Sequence, residues 1–392
     1  MSLHRALHEL AKKMPAARRS GAGGLLPALA AALVIAGCAA PETPSAPAVR
    51  PADARARIAR ALPPGTPDAT GWAVDIYAAF SVLRLDPSVS NVCAVVAVAE
   101  QESGLKVHPA VPGLGAVAWR EIDRRAERAG VPVLLVHAAL RLDSGNGKSY
   151  AERIDAARTE EELSDAFEAF VDMVPMGRRL FAGYNPVRTG GPMQVSIAYA
   201  ERHVQQQPYP YPVEETIRQE VFGRRGGMYF GIAHLLDYPA DYDRPLYRFA
   251  DFNAGHYASR NAAFQNAVTL ASGTRLALDG DLLLDGGRTE AAGETERAVR
   301  ALGSKLGLDP AQIRADLRKG ERADFDETLT WRKVFGLADR QARRTLPRAM
   351  TPQIRLQSPK ITRQLTTDWF ARRVDDRHRR CLARATPGSP QT

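Results

Sequence analysis

The sequence predicts a mainly α-helical protein. Apolar residues recur at helical spacing from Val92 to Leu105, and a second amphipathic pattern runs from Gly71 to Leu85. Thr159 followed by Glu162 is typical of a capping box at a helix start. With 392 residues, the chain is long enough for two or three domains and a sizeable core.

The N-terminus has the pattern of an export signal. Residues 1–37 combine a basic portion with an uncharged apolar run from Leu25 to Ala36, which is too short to span a bilayer comfortably. Val34–Cys38 resembles a bacterial lipobox, which implies a lipidated Cys38 with a palmitate-type anchor. No Asp follows the cysteine, and this favours the periplasmic side of the outer membrane of a Gram-negative cell. Residues 38–65 begin with a Pro- and Ala-rich run that predicts an extended tether.

The stretch from Val92 to Leu105 predicts a buried helix that ends beside an acid. Ser88 or Ser90 can cap its start, and Gly104 suits a left-handed stop, so Glu102 lies in the last turn. A carboxyl that is shielded from water keeps its proton to higher pH, and a protonated carboxyl is a general acid. The alternative is a solvated Glu that simply ends a core helix.

Four short motifs follow one another along the chain. Gln101–Ser103 is followed by Gly190–Val195 (GGPMQV), then by Gly227–Leu236 (GMYFGIAHLL), and last by Tyr247–Gly255, which ends in Ala-Asp-Phe-Asn-Ala-Gly. In this order they resemble the signatures of the lytic transglycosylase and goose-type lysozyme superfamily. Those signatures are a Glu-Ser after a buried helix, a Gly-Leu-Met-Gln turn, a core helix and an Ala-Tyr-Asn-Ala-Gly.

The resemblance implies a lysozyme-like helical domain over residues 66–275 that acts on the glycan strands of peptidoglycan. Glu102 would be the catalytic residue, acting first as an acid and then as a base to leave a 1,6-anhydro product. No metal or organic cofactor is implied, and one carboxyl suffices where most glycosidases use two. The residues that would contact the substrate are Ser103, Met193, Gln194, Phe252, Asn253 and Tyr247.

Three departures from the family pattern bear on activity. Pro192 replaces a leucine and removes a backbone donor. Phe252 replaces a tyrosine and loses its hydroxyl, which Tyr247 or Tyr257 would have to supply. Residues 106–185 are an insertion whose helical patterns predict a helical subdomain. The alternatives are therefore a lysozyme-type hydrolase, or a catalytically inactive lipoprotein that binds or scaffolds the glycan.

The C-terminal region, residues 276–392, carries no motif of a known family. Leu276–Leu284 alternates about an Asp-Gly pair, which predicts a β-hairpin, and helical patterns follow it. An exported protein permits a disulfide between Cys93 and Cys381, but a buried thiol on the apolar helix is favoured for Cys93. Neither cysteine has the spacing or neighbours of a metal site.

Charged residues indicate the kind of partner and leave one carboxylate unassigned. The formal net charge of +9 favours anionic partners such as phospholipid headgroups or the peptide carboxylates of peptidoglycan, although a solvated basic face is the favoured interpretation. Nucleic acid does not fit an exported lipoprotein without a zinc-finger or RNP-type pattern. The sequence does not identify protein partners in the cell envelope.

Asp251 is either a helix-surface residue or a second carboxylate near the cleft.

Overall fold

The described part of the protein is mainly helical, as the sequence predicts. A computed structural model describes residues 50–173, 176, 179, 182–356 and 364–386, so the predicted signal peptide, Cys38 and residues 39–49 of the tether lie outside the described residues. The prediction of an extended tether up to residue 65 is wrong, because Pro51–Ala61 is a helix whose residues Ala54, Ile58 and Ala61 are buried. The α-helices are α1 (Pro51–Ala61), α2 (Ala69–Val82), α3 (Val89–Glu102), α4 (Leu114–Arg128), α5 (Val133–Leu140), α6 (Tyr150–Ala156), α7 (Glu160–Met173), α8 (Ile197–Gln206), α9 (Ile217–Phe222), α10 (Arg224–Leu236), α11 (Pro245–Ala254), α12 (Ala258–Ser272), α13 (Glu294–Ala301), α14 (Gly303–Leu306), α15 (Pro310–Leu317), α16 (Leu329–Ala342) and α17 (Thr367–Ala385).

Short elements complete the described fold. Strands β1 (Thr189–Gly190) and β2 (Val195–Ser196) form an antiparallel pair on either side of the Gly-Pro-Met-Gln turn. Among the residues described, no helix has the combination of length and apolar character that a transmembrane segment needs. The 3₁₀ turns are Ala182–Tyr184, Leu284–Gly287, Arg318–Glu321 and Ala323–Phe325.

The insertion is helical, which confirms the prediction for residues 106–185. Helices α4 to α7 occupy it and pack on one another. The predicted capping box is present at the start of α7, because the backbone nitrogen of Glu162 donates to Oγ1 of Thr159 at 3.2 Å. In return, the backbone nitrogen of Thr159 donates to Oε2 of Glu162 at 3.1 Å. These reciprocal bonds satisfy amide groups that a helix start leaves without partners.

Two hydrophobic clusters form the interior of the described chain. The first contains buried residues of α2, α3, α10, α11 and α17, and the second contains those of α12, α13, α15 and α16. Every residue from Val92 to Ala99 of α3 is buried, which agrees with the predicted buried helix. Helix α2 packs mainly against α1 and α10, whereas α17, near the end of the chain, packs along α3.

A disulfide joins Cys93 of α3 to Cys381 of α17. The favoured interpretation of Cys93 as a free buried thiol is therefore wrong. The physical reason is that α17 packs along α3 and brings together two cysteines that are 288 residues apart in the chain, with their Cα atoms 5.4 Å from each other. That separation lies within the range that a disulfide bond requires.

The predicted β-hairpin at Leu276–Leu284 is also wrong, because no residue of this segment is in a strand. The side chain of Gln265 on α12 forms the hydrogen bonds that a partner strand would have formed. Its Oε1 accepts from the backbone nitrogen of Gly280 at 2.8 Å, and its Nε2 donates to Oδ1 of Asp279 at 2.7 Å and to the carbonyl oxygen of Asp281 at 3.0 Å. The segment is therefore a loop fastened to α12.

Candidate active site

Helix α10 contacts the turn that carries the Met-Gln motif. Gly227 and Gly231 lie one helical turn apart on the same face of α10. A Cβ atom at Gly227 would lie 2.6 Å from Cδ of Pro192, and one at Gly231 would lie 2.5 Å from Sδ of Met193. Both distances are shorter than any side chain tolerates, so the two glycines allow the turn to pack directly on the helix.

Two further motifs meet at α10. His234, one turn beyond Gly231, packs on the ring of Phe252 in α11, with 5.1 Å between the ring centroids. Its Nε2 donates to the carbonyl oxygen of Phe252 at 3.2 Å. Helix α3, which ends at Glu102, also packs against α10. The structure thus brings the helix of each predicted motif into contact with one central helix.

Glu102 is the last residue of α3 and is half-buried. Glu100, on the same helix, faces α17, where its Oε1 lies 3.5 Å from Nε of Arg377 and 3.7 Å from Nη2 of Arg380. Residues two positions apart differ by about 200° around a helix. From this spacing we expect Glu102 to leave α3 on a different side from Glu100.

Two polar side chains that were predicted to contact substrate form local hydrogen bonds. Oγ of Ser103 donates to the carbonyl oxygen of Ala99 at 3.0 Å, at the end of α3. Gln194 has a positive φ of 49°, and its Nε2 donates to the carbonyl oxygen of Gly191 at 3.3 Å. Its Oε1 accepts from Oγ1 of Thr189 at 3.1 Å. These bonds fix the shape of the helix end and of the turn.

Met193 and Phe252 support the site from the core side. The side chain of Met193 is 0% exposed and that of Phe252 is 8% exposed. Met193 packs on α10, in place of the expected direct contact with a sugar. Its burial explains why an apolar residue is needed there: it anchors the backbone of Gln194, the next residue, against the core.

Asn253 and Tyr247 lie on different sides of α11. Asn253 is exposed, and its Oδ1 accepts from Oγ1 of Thr367, the first residue of α17, at 2.9 Å. Tyr247 lines a cavity of about 590 Å³ whose lining includes neither Glu102 nor Gln194. Tyr257, the other candidate to replace the family's tyrosine hydroxyl, lines the same cavity. The ring of Tyr257 also contacts those of Tyr238 and His256, at 5.2 and 6.4 Å between centroids.

Asp251 is fully buried, so both interpretations offered by the sequence are wrong. Its Oδ2 accepts from the hydroxyls of Tyr242 and Tyr238 at 2.6 and 3.1 Å and from the backbone nitrogen of Tyr257 at 3.0 Å. Its Oδ1 accepts from the backbone nitrogen of Ser259 at 2.7 Å. Burial raises the pKa of Asp251, while these donors act in the opposite direction. Asp251 thus links the end of α11 to the start of α12.

A stack of imidazole and phenol rings beside Phe252 was not predicted. The ring centroids of His234 and His256 lie 4.6 Å apart, those of Tyr238 and His256 lie 4.1 Å apart, and those of Tyr199 and His234 lie 4.5 Å apart. Burial lowers the pKa of His234 to about 3 and also lowers the pKa of His256, so both rings are neutral near pH 7. The available signal was His256, which directly follows the Asn-Ala-Gly motif.

Comparison with known proteins places the chain in a family. A family model described as "Protein of unknown function (DUF1615)" matches residues 65–384. The chain belongs to this family. It is similar to a protein of Escherichia coli (strain K12) described as "Uncharacterized protein YaiW", with 53% identity over 356 residues, which is 90% of this chain and 96% of that protein. No solved structure matches the chain.

The region that matches the DUF1615 model contains the four motifs of the candidate site and both cysteines of the disulfide. Neither of the two descriptions names a lytic transglycosylase. Within the residues described, no three side chains of the His, Cys, Asp and Glu types are grouped so as to hold a metal ion.

Proposed function

We propose that this DUF1615 protein is a peptidoglycan lytic transglycosylase, held by a lipidated Cys38 at the periplasmic side of the outer membrane. The observation that carries the proposal is the arrangement around α10. This one helix contacts the Met-Gln turn, the Phe-Asn-Ala-Gly helix and the helix that ends at Glu102. Three of the four motifs that resemble one superfamily thus contact the fourth, which is α10 itself.

The proposed reaction begins with protonated Glu102. It gives its proton to the oxygen that joins C1 of N-acetylmuramic acid to C4 of N-acetylglucosamine, and the C1–O bond breaks to leave an oxocarbenium-like centre. The resulting Glu102 carboxylate then takes the proton of the muramic C6 hydroxyl. The O6–C1 bond forms, which gives the 1,6-anhydro ring, and the proton returns to Glu102 without consumption of water.

A single carboxyl fits the surroundings of the site. The second carboxylate that most glycosidases require would have to be accessible to substrate or water. Asp251, the candidate in the last motif, is 0% exposed and already accepts hydrogen bonds from two hydroxyls and two backbone nitrogens. It therefore supports the fold of the site, and the proposal assigns both proton transfers to Glu102.

The second candidate function is glycan binding without cleavage, in a scaffolding lipoprotein. Two observations favour it. The ring of Phe252 is buried against His234 and carries no hydroxyl, and Pro192 offers no backbone donor to substrate. A site with these two changes keeps the cleft-forming backbone but has fewer groups that stabilise the transition state. A lysozyme-type hydrolase is the other alternative, and it differs only in delivering water to C1.

The test compares the protein with two matched variants on purified peptidoglycan sacculi. Glu102→Gln removes the acid, and we expect the release of soluble glycan fragments to fall by a factor of about 10² or more. Glu100→Gln makes the same chemical change two residues earlier on α3, at the carboxyl that pairs with α17. We expect this variant to release fragments at the parent rate.

Release by Glu102→Gln at the parent rate would contradict the assignment of the acid. If none of the three proteins releases fragments while all of them sediment with sacculi, the binding function replaces the enzymatic one.

A further inference from the structure

One face of α17 carries four arginines with little opposing charge. Arg373, Arg377, Arg380 and Arg384 follow one another at spacings of four, three and four residues, so their side chains leave the helix in one direction. Glu100 lies within ion-pair distance of Arg377 and Arg380, and Asp376 on α17 is close enough to act on Arg377. Burial and the neighbouring Arg373 and Arg380 lower the pKa of Arg377, which places these guanidinium groups within range of mutual repulsion.

Helix α1 contacts the C-terminal end of α17 and carries further arginines. Nη2 of Arg384 donates to the carbonyl oxygen of Ala61, the last residue of α1, at 3.1 Å. The exposed side chains of Arg57 and Arg60 lie on one flank of α1, and within the described chain no acidic residue pairs with either of them. We define the basic face by its residues on the two helices, Arg57, Arg60, Arg373, Arg377, Arg380 and Arg384.

The basic face is remote from one end of the candidate active site and close to the other. Thr367, which contacts Asn253, begins α17, and Arg384 lies about 25 Å further along the same helix. Ser90 contacts His378 and Cys93 bonds to Cys381, so these two contacts follow the same order along α3 and α17. Glu100, which pairs with the face, is two residues from Glu102 on α3.

The position of α1 in the chain indicates which anionic partner fits. Helix α1 begins at Pro51, directly after the tether, and the chain from Cys38 to Pro51 reaches at most about 45 Å when fully extended. If Cys38 carries the proposed lipid, Pro51 at the start of α1 stays within that distance of a bilayer surface. A single acyl chain gives weak membrane binding, and a basic surface is a common second contribution.

We propose that the basic face binds the anionic headgroups of a phospholipid surface. The preference for lipid over other polyanions rests on the proposed anchor at Cys38, but the binding itself needs neither the anchor nor glycan cleavage. Each arginine near an anionic bilayer contributes about a fivefold increase in the partition coefficient at moderate salt. The contribution declines as salt screens the charges.

The experiment uses the chain from Val49 onward, which forms one compact unit without the lipidation site. Binding to vesicles of phosphatidylglycerol mixed into phosphatidylcholine, and to vesicles of phosphatidylcholine alone, is measured by cosedimentation. We expect binding to the anionic vesicles only, and a loss of this binding as the salt concentration rises. A basic-face triple variant, Arg60→Gln with Arg373→Gln and Arg380→Gln, should lower the partition coefficient about a hundredfold.

The matched control removes three arginines from other faces of the same two helices. Arg372 and Arg379 are exposed and pair with aspartates of their own helix, and Arg55 lies on the opposite flank of α1 from Arg60. Arg55→Gln with Arg372→Gln and Arg379→Gln therefore changes the net charge equally, and we expect a loss of about threefold or less. Thermal melts followed by circular dichroism confirm that both triple variants are folded.

Equal losses in the two triple variants would overturn the proposal, because they would show a response to net charge and not to this face. Binding of the parent to neither kind of vesicle would also overturn it. If the parent binds isolated sacculi through the same three arginines and does not bind anionic vesicles, the partner is the peptide carboxylates of the cell wall and the lipid assignment is wrong.

Discussion

Reduction of the disulfide between Cys93 and Cys381 should markedly destabilise the protein. The bond joins α3 to α17 across 288 residues and lies in the first hydrophobic cluster, with both side chains 0% exposed. Loop closure over that length removes entropy from the unfolded chain worth about 5 kcal/mol. Folded domains are stable by about 5–15 kcal/mol, so the bond accounts for a third or more of the total. For a unit of this size, the loss corresponds to about 7 °C in Tm.

Calorimetric melts of the chain from Val49 onward, oxidised and fully reduced, measure this difference. The double variant Cys93→Ala and Cys381→Ala is the control, because it should melt near the reduced parent and should not respond to reductant. Equal Tm values for the oxidised and reduced parent would show that the disulfide does not stabilise the fold. Two free thiols per chain in the oxidised, denatured protein would show that the bond does not form.

Three other changes probe the packing around the candidate site. Asp251→Asn should lower the free energy of unfolding, measured in urea, by about 2–4 kcal/mol. The amide NH2 group of the asparagine would face hydroxyl and backbone N–H groups that now donate to the carboxylate. Acidification from about pH 7 to about pH 5 should lower the free energy of unfolding by about 2 kcal/mol because of His234. The pKa of His234 is about 3 in the folded protein and about 6.5 in the unfolded chain. As the pH is lowered, the imidazole is therefore protonated first in the unfolded chain, and the free energy of unfolding decreases. Gly231→Ala places a Cβ 2.5 Å from Sδ of Met193. It should lower the free energy of unfolding by about 1–3 kcal/mol and slow the release of glycan fragments.

Each of these predictions has a distinct contrary outcome. Parent-like urea midpoints for Asp251→Asn would show that its hydrogen bonds contribute little. Stability that rises between about pH 7 and about pH 5 would contradict a neutral His234 in the folded state. Gly336→Ala is the matched control for Gly231→Ala, since its Cβ meets only Nη1 of Arg340, at 3.5 Å, and the change should stabilise α16 by up to about 1 kcal/mol. Equal effects of the two glycine substitutions would contradict close packing of the turn on α10.

Local signals in the sequence predicted α3 well. Oγ of Ser88 accepts from the backbone nitrogen of Asn91 at 3.3 Å, as expected of an N-cap. Gly104 has the positive φ of 63° that a left-handed stop requires. Caps and apolar spacing depend on residues only a few positions apart, so one sequence contains the information. The placement of Glu102 in the last turn of α3 follows from the same signals and is confirmed.

Contacts between residues that are far apart in the chain could not be predicted from the sequence. The Asp-Gly pair at 279–280 is a hairpin signal, but Gln265 takes up its polar groups because α12 lies beside it in the fold. The pairing of Cys93 depends on the packing of α17 along α3, which no local pattern specifies. Asp251 is a carboxylate in a mostly apolar motif. Its structural role depends on the backbone nitrogens of Tyr257 and Ser259, which donate to it only once the chain after α11 is folded.

The mass of the muropeptides released from purified peptidoglycan is the measurement that separates transglycosylation by Glu102 from the other functions. The protein from Val49 onward and its Glu102→Gln variant are each incubated with sacculi, and the soluble products are analysed by mass spectrometry. We expect 1,6-anhydro-muropeptides, one water lighter than the hydrolysis products, from the parent and none from Glu102→Gln. Products with a reducing end, or anhydro products from Glu102→Gln in equal amount, would show that Glu102 does not catalyse this reaction.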